Sequence, residues 1–149
     1  MGLFDMLNIS ASALSAERQR AEITSTNLAN AETTHTDTGG PFVRKQVVFS
    51  ASNGLPFRSV FNRIGKFSQP PTGSVKLSQV VEDSSAPILR YEPGNPDANK
   101  DGYVAYPSIN PTTEMVDLMG AVRAYQLNAS AVSAAKQMIQ QSLDILKSS

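Results

Sequence analysis

Apolar residues recur every seven positions at both ends of this chain. Toward the C-terminus Leu118, Tyr125, Val132, Ile139 and Leu146 keep that spacing without a miss, and Met115, Val122, Ala129 and Leu143 fill the companion position. Lys136 is the one polar intruder. The pattern predicts a helix over about residues 112–147, roughly 50 Å long. Asn110 and Pro111 supply an N-cap and a proline at the first helical position. Glu114 and Asp117 lie near the positive end of the helix dipole, and Lys147 suits the last turn. At the other end Leu7, Leu14, Ala21 and Leu28 repeat at seven, widened by Phe4 and Ala11, and predict a helix over about residues 3–30. This thinner stripe ends in the polar run Asn30 to Thr38, whose side chains compete with the helix for hydrogen bonds.

A strict seven-residue stripe stays aligned only when the helix winds along a partner helix. Between Leu118 and Leu143 the only charged residues are Arg123 and Lys136, whereas a solvated helix alternates charges on its outer face. One arrangement is a hairpin whose two ends pack only on each other. Two thin, partly alanine stripes satisfy each other's burial poorly, so the pattern favours a coiled coil between molecules. Its expected assembly interface is Leu7, Leu14 and Ala21 with Leu118, Val122, Tyr125, Val132, Ile139, Leu143 and Leu146. Seams this thin leave the ends largely unstructured in a lone molecule and ordered on docking.

The middle is hostile to helix. All nine prolines fall between Pro41 and Pro111, and seven of the nine glycines between Gly39 and Gly102. Runs rich in β-branched and aromatic residues predict strands at Phe42–Phe49, Ser74–Val81 and Ile88–Tyr91, with a shorter one from Gly102 to Tyr106. Gly-Gly-Pro, Asn53-Gly54, Pro70-Pro71 and Pro93-Gly94 bound them as turns, and Phe57 to Phe67 takes no firm assignment. The expected fold is α+β: long N- and C-terminal helices form a coiled-coil stalk that carries a small β-rich central domain. Its segments are residues 1–38, 39–109 and 110–149, the first and last making one structural unit.

Composition removes most chemistry. The 149 residues include no cysteine and one histidine, His35, so thiolate sites and two-histidine metal sites are excluded. Thirteen basic and thirteen acidic residues balance to zero, which argues against a nucleic-acid partner. Arg58, Arg63 and Lys66, interleaved with Phe57, Phe61 and Phe67, are better read as a partner-contacting loop. Asp97-Ala98-Asn99-Lys100-Asp101-Gly102 copies half of a calcium loop, but Ser108 stands where the bidentate glutamate belongs. No nucleophile elbow or phosphate loop occurs, and Glu82-Asp83 are neighbours on a strand end whose side chains point to opposite faces. No catalytic residue and no cofactor is expected. Nor is membrane insertion, since no apolar run approaches the ~20 residues of a span. Met1 to Leu7 lacks the features of a cleaved secretory signal, and Met6 stands where a myristoylation motif needs Ser or Thr.

Two terminal motifs then carry a resemblance. Asn27-Leu28-Ala29-Asn30-Ala31-Glu32-Thr33 resembles the rod signature of bacterial flagellar axial (rod and hook) proteins. Glu114-Met115-Val116-Asp117-Leu118-Met119 with Arg123-Ala124-Tyr125-Gln126-Leu127-Asn128 resembles their C-terminal motif. Thr33 to Thr36, Gly39 to Lys45, Tyr91 to Pro96 and Asp101 to Pro107 are similar to the proximal-rod C subfamily. The resemblance covers both ends and the last part of the middle, leaving about residues 51–86 without a trusted motif. It implies a structural subunit of a hollow, torque-transmitting rod across the periplasm, exported without a cleaved signal by the flagellar type III apparatus. Terminal helices would pack as an inner tube with the β-rich middle outward. The implied partners are other rod subunits and further copies of this chain, with basal-body ring and export-apparatus components as further candidates. Asn27, Leu28, Ala29, Asn30 and Thr33 would end the first helix and steer the chain into the sheet. The alternatives are a self-contained helical binding module, such as a type III export adaptor, and another rod protein of the same axial family.

Overall fold

The computed structural model describes residues 3–52 and 73–147. The Asn53-Gly54 and Pro70-Pro71 turns and the Phe57–Phe67 segment lie outside the described residues. Among the described residues two long helices flank four short strands: α1 (Leu3–Ala29), β1 (Lys45–Ser52), β2 (Ser74–Glu82), β3 (Ile88–Tyr91), β4 (Tyr103–Tyr106) and α2 (Pro111–Lys147). The class is α+β, as expected.

Both helix boundaries have local causes. The Asn110 side-chain oxygen accepts the N–H groups of Thr112 (3.0 Å) and Thr113 (3.4 Å), so the expected cap starts α2 at Pro111. At the end of α1, the Asn30 amide donates to the Thr26 carbonyl at 2.9 Å, and the Thr33 N–H then turns back to the Asn30 carbonyl at 3.1 Å. Side-chain hydrogen bonds therefore stop α1 where the polar run begins.

The strands form two separate two-stranded sheets, β1 with β2 and β3 with β4. The second is an antiparallel hairpin with Ile88 opposite Tyr106 and Tyr91 opposite Tyr103. Tyr91 and Tyr103 meet edge to face at 5.3 Å, and the Arg90 guanidinium lies 4.4 Å from the Tyr106 ring centre. Strand β1 begins three residues later than the sequence suggests. Phe42 gives its N–H to the Thr33 carbonyl, and Arg44 is drawn to Glu114, so Phe42 to Arg44 belong to the approach.

The chain divides into two compact units. One takes α1 up to Arg18, β1 from Phe49, β2 up to Ser78 and α2 from Val122. Its most buried side chains are small, Ala16 and Ala135, and the Ser12 hydroxyl accepts the Val75 N–H at 3.1 Å. The other takes Gln19–Val48 and Gln79–Ala121. Val104, Ile109 and Ala121 are its apolar core, joined by buried Thr24, Asn27 and Glu114. In this unit the Arg20 guanidinium reaches the Asp117 carboxylate at 3.6 Å, linking α1 to the start of α2.

Candidate functional site

The rod signature and the start of the C-terminal motif, Glu114 to Met119, converge in the second unit. Asn27 and Glu114 are each only 2% exposed. A buried carboxylate is costly unless its oxygens are occupied, and here both are. Glu114 Oε2 accepts the Asn27 amide at 3.1 Å, while Oε1 accepts Arg44 Nε at 2.7 Å and Nη2 at 2.6 Å. Asn27 also reads the backbone at the start of β1. Its Nδ2 donates to the Lys45 carbonyl at 2.7 Å, and its Oδ1 accepts the Lys45 N–H at 2.9 Å. An asparagine can do this because its side-chain amide presents the same donor and acceptor as a neighbouring strand would.

The cluster extends to the end of β2. The Asp83 N–H donates to the Arg44 carbonyl at 2.8 Å, and the Asp83 carboxylate lies 3.8 Å from Arg44 Nη1 and accepts Gln46 Nε2 at 3.0 Å. Hydrogen bonds from the Ser85 hydroxyl and backbone N–H, helped by Gln46 and Arg44, hold the Asp83 carboxyl below the ordinary aspartate value. One polar knot thus fixes the exit from α1, the entry to β1, the exit from β2 and the first turn of α2.

Of the rod-motif residues, Asn27 is in the knot, Asn30 and Thr33 form the turn that ends α1, Leu28 is half-buried and Ala29 is exposed. Of the expected interface residues, Leu7, Leu14, Ala21, Leu118, Val132 and Ile139 are half-buried, whereas Val122, Tyr125, Leu143 and Leu146 are exposed. Every residue of α2 from Gln140 to Lys147 is exposed. Along α2 the closed positions are Glu114, Ala121 and Ala135, with half-buried Asn128 between them, a seven-residue series of small and polar side chains. An apolar search passes over this series; its regular spacing is the signal that finds it.

The rest of the chemistry is spent on structure. His35 is exposed in its loop. In the loop that copies half of a calcium site, Asn99 Oδ1 accepts the N–H groups of Asp101 and Tyr103, both at 2.9 Å, and Asp97 accepts the Thr34 hydroxyl at 2.6 Å. Among the described residues no cluster of His, Cys, Asp or Glu could hold a metal, and no helix is long and apolar enough to cross a membrane. A cleft of about 350 Å³ beside the knot is lined by Pro41, Phe42, Val43, Arg44, Pro87 and Pro107 among others, and by Asp83 and Ser85, whose hydroxyl donates to the Asp83 carboxylate at 2.7 Å.

Residues 7–34 match the family model described as flagella basal body rod protein, and residues 100–145 match that of the flagellar basal body rod FlgEFG protein C-terminal region. The chain is similar over nearly its whole length to flagellar basal-body rod proteins FlgC. It is 41% identical to that of Bacillus subtilis over 99% of this chain and 100% of the relative. It is 37% identical to that of Escherichia coli O6:H1, covering 97% and 98% of the two chains, and 34% identical to that of Borreliella burgdorferi, covering 99% of each.

Proposed function

We propose, from the premise that this chain belongs to the FlgC family of flagellar basal-body rod proteins and is a structural, non-enzymatic subunit of the rod, that it enters the rod through the apolar stripe of α2. One observation carries this reading: in the single chain Leu143 is 52% and Leu146 74% exposed, on a helix whose closed positions are small or polar. Large apolar side chains at regular spacing on a 37-residue helix are the residues a neighbouring helix would cover. Burying one such side chain fully stabilises by about 1.5–3 kcal/mol, so a few per subunit offset much of the cost of association and ordering.

The division of labour follows from the two kinds of contact. The knot of Asn27, Arg44 and Glu114 holds the chain's own elements at the base of the helices, while the stripe along α2 is left for neighbours. Those neighbours are other rod subunits and further copies of this chain, with basal-body ring and export-apparatus components as additional contacts. The rod crosses the periplasm and transmits torque, with the terminal helices inward and the β-rich residues 39–109 outward. Export as an unfolded chain through the flagellar type III channel fits a helix whose apolar stripe is covered only on arrival. A self-contained export adaptor would instead seal its stripe within the molecule, and the exposure of Leu143 and Leu146 counts against it.

Val132→Asp and Ile139→Asp variants, expressed in place of the native chain, test the proposal. Secretion should continue while incorporation into purified basal bodies, and with it motility, falls at least tenfold. Normal incorporation of both variants would overturn the stripe assignment.

A further inference from the structure

Two adjoining hollows of about 350 and 380 Å³ open beside the knot and share Pro41, Phe42, Val43 and Glu82. Both lie within the second unit, and each falls in the range of ligand pockets, about 300–1,000 Å³. Together they form one groove. Its walls include Pro41, Pro87 and Pro107, which have no N–H to give, so a guest would be held by apolar contact and charge rather than by strand pairing. The charge is acidic. Asp37, Glu82 and Asp83 line the groove against Arg44 and Lys45. Arg44 is committed to Glu114 and Asp83, and Lys45 stands 5.9 Å from the Phe42 ring centre. Asp37 and Glu82 are exposed, and among the described residues neither has an ion-pair partner.

The chain itself contains the complementary sequence. Residues 57–67 hold three phenylalanines and three basic residues, Arg58, Arg63 and Lys66, and no acid. No acidic residue occurs anywhere between Asp37 and Glu82, so these cations have no counter-charge in their own stretch of sequence. We propose that residues 57–67 of one copy dock in the groove of a neighbouring copy, their phenylalanines against Phe42, Val43 and the prolines and their cations at Asp37 and Glu82. The start of the segment cannot reach the groove of its own chain. Arg44, at the groove, and Ser52, at the far end of β1, are eight residues apart, about 26 Å of strand. Phe57 follows Ser52 by only five residues, which span at most about 18 Å. The contact rests on the reading that copies of this chain adjoin in the rod, and it uses no residue of the α2 stripe.

The chain has no cysteine, so introduced thiols report alone. Asn62→Cys, Ser84→Cys and the double variant are built into basal bodies and treated with a short bismaleimide cross-linker; Ser59→Cys replaces Asn62→Cys if that variant does not assemble. Multiples of the 16.0 kDa chain are expected from the double variant and from neither single one. Adding Glu82→Arg should lower their yield at least tenfold, and adding Arg63→Glu to that should restore it. An unchanged yield with Glu82→Arg would overturn the charge pairing. Thiols joined within single chains would put the segment in its own groove and overturn the proposal. A Ser84→Cys thiol that a maleimide dye labels in the rod would show an empty groove, and one shielded without cross-linking a different guest; each overturns it. A lysine-reactive cross-linker separates the two readings: multiples of the chain with it, and none from the paired thiols, would sink the groove contact alone. None with either would sink the adjoining copies as well.

Discussion

Asn27 and Glu114, 87 residues apart in the chain, meet at 3.1 Å in a buried pair that also grips the backbone of Lys45. The pair explains why an asparagine stands in the last turn of the first helix: no other short side chain offers a donor to a carboxylate while matching both backbone groups of a strand residue. Asn27→Ala leaves the Lys45 N–H and one Glu114 oxygen without their partner and should destabilise the second unit by about 1–3 kcal/mol. Asn27→Asp should cost more, since it sets a second carboxylate against Glu114 and the Lys45 carbonyl. Urea midpoints of the three chains test the order; an Asp variant as stable as Ala would contradict the geometry.

Arg44 reaches one Glu114 oxygen through two nitrogens, a forked contact that lysine cannot reproduce. Glu114 is buried while the Arg44 side chain is partly solvated, which places the loss at the lower end for broken buried pairs. Arg44→Ala should therefore cost about 3 kcal/mol. Arg44→Lys should fall between Ala and the native residue. Replacing both partners by apolar residues, Arg44→Met with Glu114→Leu, should recover most of the loss of the single variant, because no charge is then stranded. Equal losses in the single and double variants would show that the pair itself, rather than the stranded carboxylate, sets the cost.

Gly102 closes the β3–β4 hairpin at a φ of 79°, and an added Cβ would stand 2.9 Å from the Tyr91 ring. Gly102→Ala combines left-handed strain with that clash and should cost about 2 kcal/mol. Near-ultraviolet circular dichroism should register it, since Tyr91 and Tyr103 are an edge-to-face pair. Gly94→Ala, where nothing lies within 4 Å, is the control and should stay within about 0.5 kcal/mol of native.

Two groups contribute to the pH dependence with opposite signs. The folded Asp83 carboxyl titrates below its ordinary value, chiefly through Ser85, so its contribution is present above the unfolded value near 3.8 and is lost as pH falls through the lower folded one. The Tyr106 hydroxyl donates to the Glu92 carboxylate at 3.0 Å, and that bond holds its pKa above the ordinary 10.0. Its contribution is full below that value and is lost as pH rises through the higher folded one. Asp83→Asn should flatten the acid limb of a plot of urea midpoint against pH, and Tyr106→Phe the alkaline limb. An unchanged limb in either variant would remove that group from the explanation.

The helices were legible because their signals are local: Asn110 caps α2 and Asn30 turns α1, each within four residues of its partners. The stripe of Leu118 to Leu146 was legible as a period, and the exposure of Tyr125, Leu143 and Leu146 fits its being a surface between molecules. The knot was harder to see. Glu114 reads as an ordinary acidic residue in a first helical turn, and only Arg44 and Asn27, 70 and 87 residues away, make its burial tolerable. Sequence pattern reports apolar periods and local caps; it is silent about which polar residue will be closed in by partners from distant segments.

Hydrogen exchange along α2, compared between the dilute purified chain and assembled basal bodies, tests the central claim most directly. If neighbours cover the stripe, amides from Val122 to Lys147 should exchange at least a hundredfold faster in the lone chain than in the rod, while those around Glu114 and Val104 differ little. Equal, strong protection of Val122 to Lys147 in both states would contradict it, because the helix would then be complete without a neighbour.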